Sequence, residues 1–257
     1  MRKGEQTRAA IVAAAVELAA RDGVEGLTIG ALAERTQMSK SGVFAHFGSR
    51  EDLQIAVLKA YERRFVDDIL VPGLRERRGL PRLRAIFGRW LERTAIEAAS
   101  GCIWISGATE YDDRPGAVRE ELVAMVRSWQ RELTRAIQQA VDAGDLRADV
   151  DAREVVFDLY GVILVLHHDA RLLNSPDALA RAQRAFERLV ASYQAGSSGG
   201  VGTAALAAPA ASLPGGVREL HERSDEGARA KPVPEPVPAP PRVRSSRNQV
   251  PGKLARN

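Results

Sequence analysis

Residues 28–47, TIGALAERTQMSKSGVFAHF, read as two short helices joined by a tight turn. Thr28 is an N-cap residue type, and the positions after it predict a helix of barely two turns over Ile29 to Arg35. Gln37 and Met38 make the turn, and Ser39 caps a second short helix that ends near Phe47. Gly30, Ala31 and Ala33 are small enough to let the two helices cross closely, as a helix-turn-helix requires. In such a unit the second helix enters the DNA major groove, and its first turn faces base edges. Ser39, Lys40, Ser41 and Gly42 occupy that turn. Hydroxyls suit bases or phosphates, Lys40 reaches a phosphate or a guanine, and Gly42 permits close approach. The helix starts at Thr28 and Ser49 offer free backbone N–H groups as phosphate seats.

The helical period continues on both sides, with no strand-like alternation bounded by turns. Upstream, Ile11, Ala14, Ala15, Leu18 and Ala19 share one helix face that Gly23 terminates. Downstream, Ser49-Arg50-Glu51-Asp52 has the form of a capping box. It opens a longer helix with Leu53, Val57, Ala60 and Ile69 inward, stopped before Pro72. Pro81 starts a helix carrying Leu83, Ile86, Phe87, Trp90 and Leu91, and a shorter one covers Cys102 to Tyr111. Pro115 opens a long helix through Leu122, Val126, Trp129, Leu133 and Ile137 to Gly144. Asp151 to Glu154 is a second capping-box pattern, ahead of Val155 to Leu173. Ser175-Pro176-Asp177 begins a last helix that closes near Tyr193. The expectation is an all-α chain of about nine helices.

Composition changes abruptly near residue 195. All Phe, Trp and Tyr residues lie at or before Tyr193, whereas nine of the 13 prolines lie beyond it. A segment so poor in large apolar groups cannot offset its chain entropy, so 195–257 is expected to be disordered, with polyproline character around 232–241. That tail holds nine Lys and Arg against five Asp and Glu, the whole of the net +4, so residues 1–194 are formally neutral. The high isoelectric point is therefore no argument for DNA binding by the folded part. One cysteine, Cys102, excludes an internal disulfide and a multi-cysteine metal site. No apolar run approaches the roughly 20 residues of a membrane span, and no signal-peptide pattern follows Met1. A cytoplasmic protein with no membrane partner is expected.

At this point the chain resembles the TetR family of helix-turn-helix repressors. The resemblance covers about residues 5–60 and rests on the Thr28 start, Ile29 and Ala33, the Ser39-Lys40 turn, Phe44 to Phe47, and Ser49-Arg50-Glu51-Asp52-Leu53. It implies that Phe44 and His46 face the DNA backbone, that Phe47 packs inside, and that Arg50 takes a phosphate-contacting position. Two residues depart from the usual pattern. Phe44 stands where the family has Tyr, which removes a phenol-to-phosphate hydrogen bond, and Arg50 stands where it has Lys. Gly101-Cys102 and Glu110-Tyr-Asp-Asp113 resemble the family's helical regulatory domain more weakly.

The expected organisation is a helix-turn-helix DNA-binding domain over 1–50, a connecting fourth helix over 50–71, an effector-binding and dimerisation domain over 72–194, and the tail. The expected function is a homodimeric repressor that binds palindromic half-sites and is released by a small molecule. Phe87, Trp90, Trp104, Tyr111 and Trp129 are candidates for a pocket that takes a lipophilic effector. Leu159, Ile163 and Leu166 on the penultimate helix, and Leu179, Ala182, Phe186, Leu189 and Tyr193 on the last, have seam-like spacing for a dimer four-helix bundle. Motifs for nucleotide, zinc or serine-hydrolase chemistry are missing, and His167-His168-Asp169 point in different directions on a helix, so no catalytic residue, metal or cofactor is expected. Two other classes stay open: a DNA-binding protein whose C-terminal helices only dimerise, and an all-α enzyme or interaction module with an accidental motif.

Overall fold

The computed structural model describes residues 3–194, which contain helices and no strand. The helices are α1 (Lys3–Asp22), α2 (Ile29–Thr36), α3 (Lys40–Phe47), α4 (Arg50–Phe65), α5 (Leu80–Ser100), α6 (Ile103–Tyr111), α7 (Ala117–Asp142), α8 (Ala152–Arg171) and α9 (Ala178–Tyr193). The all-α expectation is borne out. The disorder expected for 195–257 lies outside the described residues.

α1 buries Ile11, Val12, Ala15, Leu18 and Ala19 against α2 and α4. α4 has two interior faces: it packs on α1 on one side and on α7 on the other. Leu53, Val57, Leu58, Tyr61 and Phe65 are accordingly buried along it. Its end differs from the expected stop before Pro72. The chain continues through a π-helical turn, Val66–Leu70, and a last turn, Val71–Gly73. A proline lacks the N–H of the helical ladder and its ring collides with the carbonyl four residues back. The wide turn just upstream, in which Val71 N–H bonds back to Val66 O, accommodates that ring. Gly73 then lies so close to Ile86 that an added Cβ would collide with it.

Two further boundaries move by a residue or two. α5 begins at Leu80, whose N–H donates to Asp145 Oδ2 at 2.8 Å, so Pro81 sits inside the first turn. α7 begins at Ala117 after Gly116, whose φ of 139° only glycine adopts readily. On α7 it is Met125 that turns inward, and Val126 is half-buried.

The centre of the C-terminal helices is aromatic. Phe65, 1% exposed, meets Trp104 at 4.2 Å, Trp129 at 4.8 Å and Trp90 at 6.2 Å between ring centroids. Trp90 packs edge-on to Trp129 and Tyr160, at 5.3 and 5.1 Å. Edge-to-face contacts of this kind add to the burial of large apolar rings. Beside them Tyr61 donates its hydroxyl to Glu97, 2.9 Å from both carboxylate oxygens, and Arg93 Nε donates to Glu97 Oε1 at 2.9 Å. Burying a carboxylate is tolerable only when it is paired in this way. Burial and the nearby Glu97 push the Cys102 thiol up to about 12.

Much of the stripe expected at the dimer seam packs inside this chain. Leu159, Ile163, Leu166, Ala182 and Phe186 are buried by this chain's own helices, because α8 and α9 pack on each other and on α5. Phe186 lies 4.4 Å from Phe87, ring centroid to centroid. A stripe of helical period announces burial without naming the neighbour that provides it. Leu179, Leu189 and Tyr193 are half-buried, and the Tyr193 hydroxyl donates to Asp158 Oδ2 at 2.7 Å. A different apolar stripe of α8 faces outward: Phe157, Leu164 and Val165 are 76%, 50% and 61% exposed.

Candidate nucleic-acid interface

The α2–α3 unit is set by its own side chains. Thr28 Oγ1 accepts from Ala31 N–H at 3.1 Å, and Ser39 Oγ accepts from Gly42 N–H at 3.0 Å. Each bond satisfies a helix N–H that has no partner within its helix. Between them Gln37 takes the left-handed conformation, φ 55°, and Met38 N–H reaches Ala33 O at 2.9 Å. Val43 and Phe47 are buried beneath α3, together with Leu32 and Ala33 of α2. The opposite face of α3 is left to solvent.

That face carries Thr28, Ser39, Lys40, Ser41 and Phe44, all exposed. Lys40 crosses the start of α2, where a Cβ on Gly30 would meet its Cε at 3.4 Å. Glycine there lets the lysine stem lie flat. Ser39 Oγ and Ser41 Oγ are 3.1 Å apart. Ile29, Lys40, Ser41, Phe44 and Ala45 form a shallow, largely apolar depression. Phe44, 51% exposed, is an apolar ring held in water on a helix whose other large apolar residues, Val43 and Phe47, are inside. Gly42 is half-buried, and a Cβ there would press on Ser39 Oγ at 3.1 Å. Nothing on this face is acidic.

The remaining sequence candidates have other engagements. His46 is half-buried; its carbonyl accepts from Arg8 Nε at 3.4 Å, and the Arg8 guanidinium lies 5.0 Å over the Phe47 ring. Ser49 Oγ accepts from Asp52 N–H at 3.0 Å and donates to Asp52 Oδ2 at 2.6 Å. Arg50 turns inward to the α1–α2 loop. Its Nε donates to Leu27 O at 3.0 Å, a terminal nitrogen donates to Glu25 O, and it pairs with Glu25 Oε1 at 3.2 Å. The same loop is gripped from α6 and beyond. Tyr111 OH donates to Glu25 Oε2 at 2.9 Å, Glu25 N–H donates to Glu110 Oε2 at 2.7 Å, and Arg114 pairs with Glu25 Oε1 at 3.3 Å. Gln54 Nε2 adds a bond to Val24 O at 2.8 Å. The Tyr111 hydrogen bond, with Arg50 and Arg114, holds the Glu25 carboxyl below the usual range.

Sequence reasoning missed this junction. Glu110 and Tyr111 stood out as residues, but their target lies 85 and 86 positions away, and no local pattern links them. Arg8 had no signal beyond its charge.

The pocket candidates separate in the same way. Phe87, Trp90, Trp104 and Trp129 belong to the aromatic centre around Phe65, whereas Tyr111 belongs to the Glu25 junction. All five are buried. Trp104 Nε1 and Trp129 Nε1 are buried without a hydrogen-bond partner.

Comparison with known proteins places these features in context. Residues 11–57 match the model described as bacterial regulatory proteins, tetR family, and residues 79–186 match the one described as tetracyclin repressor-like, C-terminal domain. No curated protein sequence matches this chain. Among solved structures, a TetR-family transcriptional regulator from Cytophaga hutchinsonii superposes with a TM-score of 0.65 at 19% identity, over 76% of this chain and 98% of that one. AibR in complex with isovaleryl coenzyme A and operator DNA is similar at a TM-score of 0.56 and 22% identity, over 72% and 97%. FadR from Bacillus subtilis in complex with stearoyl-CoA is similar at 0.58 and 16%, over 74% and 100%.

Proposed function

We propose a mechanism for a chain that belongs to the tetR family of bacterial regulatory proteins: it binds operator DNA as a dimer and releases it when a small molecule occupies the C-terminal helices. The observation that carries this reading is the capped α2–α3 unit, which leaves an exposed, acid-free face of Thr28, Ser39, Lys40, Ser41 and Phe44. Lys40 and Ser41 read base edges, and Thr28 and Ser39 sit against phosphates. Phe44, lacking a hydroxyl, contributes apolar contact with a sugar or a thymine methyl group. Gly42 lets the helix start approach closely. His46 and Ser49 stay at the margin. Arg50 serves the junction, because its donors are already committed to Glu25 and Leu27.

A division of labour follows. Residues 1–50 form the DNA-binding part, α4 the connection, and 72–194 the effector and dimer part. A second copy covers the outer side of α8 and α9, over a groove lined by Gly161, Val165, Ala185 and Leu189 and beside exposed Leu164. The recognition helices of such a dimer must be spaced by about one helical turn of DNA, ~34–36 Å. An effector that prefers a different spacing lowers operator affinity by linkage. The effector is lipophilic. Two structural neighbours hold acyl-coenzyme A, and this chain buries a cluster of rings, Phe87, Trp90, Trp104 and Trp129, among its C-terminal helices. The chain acts by binding rather than catalysis, in the cytoplasm where its DNA lies.

Selection of binding sites from random duplexes with the full chain tests the reading. An enriched inverted repeat is expected, and an absence of enrichment overturns it. A second reading, C-terminal helices that serve dimerisation alone, is favoured by the close packing of rings around Phe65. A screen in which no small molecule releases the selected operator would favour it.

A further inference from the structure

A groove of about 620 Å³ runs between α7 and α8, lined by Arg127, Arg131 and Thr134 on one side and Arg153, Phe157 and Tyr160 on the other. Other arginines of these helices are neutralised by a neighbour: Arg135 pairs with Glu132 and Arg181 with Asp169. Among the described residues, Arg127, Arg131 and Arg153 form no ion pair and no side-chain hydrogen bond. All three are exposed and share one concavity. Like charges so arranged repel one another, and their forked donors match a carboxylate or phosphate in bidentate fashion. Next to them Phe157 is 76% exposed, a large apolar surface in water within reach of the same ligand.

The floor of the groove leads inward. Tyr160 is half-buried, and its hydroxyl is buried with no hydrogen-bond partner in the protein. Its ring stands 5.1 Å from Trp90, at the edge of the aromatic centre where Trp104 Nε1 and Trp129 Nε1 also lack partners. A hydrogen-bonding group enclosed and unpaired is costly, and a ligand oxygen would relieve that cost.

We propose that the groove binds an anionic amphipathic small molecule, its carboxylate or phosphate held by Arg127, Arg131 and Arg153 and its apolar body laid on Phe157 and the Tyr160 ring. This rests on the effector reading above and narrows it from any lipophile to one with an anionic head. Neither charge nor apolar surface suffices alone: inorganic phosphate offers no body, and a neutral alcohol no head.

Calorimetric titration of the full chain without DNA, using decyl phosphate, decanoate, decanol and inorganic phosphate below any micelle concentration, tests it. Both decyl anions are expected to bind about tenfold or more tightly than decanol, a gap of about 1.4 kcal/mol. Inorganic phosphate should bind more weakly still. The variant R131E/R153E should lose about tenfold or more for the decyl anions with decanol unchanged. Because both residues are exposed, R131Q/R153Q serves if the charge reversal disturbs folding, and helicity checks each. The tighter of the two anions identifies the head group. Equal affinity for decanol and decyl phosphate, or unaltered anion binding in both variants, overturns the proposal. A variant that changes oligomeric state while its anion affinity stays the same also overturns it, and makes the groove a contact between copies. Operator release is not read in this titration, so its failure leaves the DNA-binding reading standing, and a failed operator selection leaves this one standing.

Discussion

α3 and α6 are helices of eight and nine residues, held in opposite ways. α3 is fixed by neighbours in sequence: the Ser39 cap at one end and Gly48, whose N–H bonds to Phe44 O, at the other. With its ends settled locally it can leave one face free. α6 has no side-chain cap at Cys102. It is held by residues far away, with Trp104 against Phe65 and Glu110 and Tyr111 on Glu25. A helix that presents a surface to a partner must be stable without it. A helix that couples two parts of a chain must depend on both.

Removing a ring from the distant network should have the largest effect. Phe65→Ala is expected to destabilise the protein by about 3–5 kcal/mol in urea unfolding, because it empties a fully enclosed site. Phe44→Ala, on the free face of α3, should stay within about 0.5 kcal/mol. Similar losses in the two variants would break the contrast.

Lys40→Ala sharpens it from the other side. Operator affinity should fall by about 1–3 kcal/mol, with relaxed preference at one base position and an unchanged unfolding midpoint. A parallel loss of stability would mean that Lys40 supports the fold instead. Ser39→Ala should cost about 1 kcal/mol of stability through its cap, read by thermal unfolding. No change would show that α3 relies on tertiary contacts as α6 does.

The junction should show a modest effect that depends on pH. Glu25 and Arg50 are partly exposed, so Glu25→Gln should cost no more than about 1 kcal/mol at neutral pH. The folded carboxyl titrates below its usual range, so its contribution is present above the unfolded value, about 4.3, and disappears as pH falls through the lowered folded value. The stability gap between parent and Glu25→Gln should therefore close on acidification. A gap that persists unchanged at pH 2 would remove Glu25 ionisation from the junction.

The helix-turn-helix was legible because its instructions are local. Thr28, Ser39 and Ser49 each act on the N–H group three residues on, so residue type and spacing announce the caps. Phe44 and Phe47 could be sorted into outside and inside from their motif positions. Arg50 could not be assigned in this way, since its partners Glu25 and Leu27 meet it only after α1 and α4 pack. The stripe on α8 and α9 could not be assigned a neighbour for a related reason: Leu159 and Phe186 have the period of a buried face, and period does not distinguish α5 of the same chain from a second copy.

By itself the sequence determined that residues 3–194 are helical, where most of their helices begin, and that residues 28–47 form a helix-turn-helix, because caps, turns and apolar period act within a few residues. Only the tertiary structure decided that the helical path after α4 continues past Pro72, that Phe186 belongs to the core and Phe157 to the surface, and that Arg127, Arg131 and Arg153 share a groove. These outcomes depend on which helix faces meet, and such meetings are set by the packing of the whole chain.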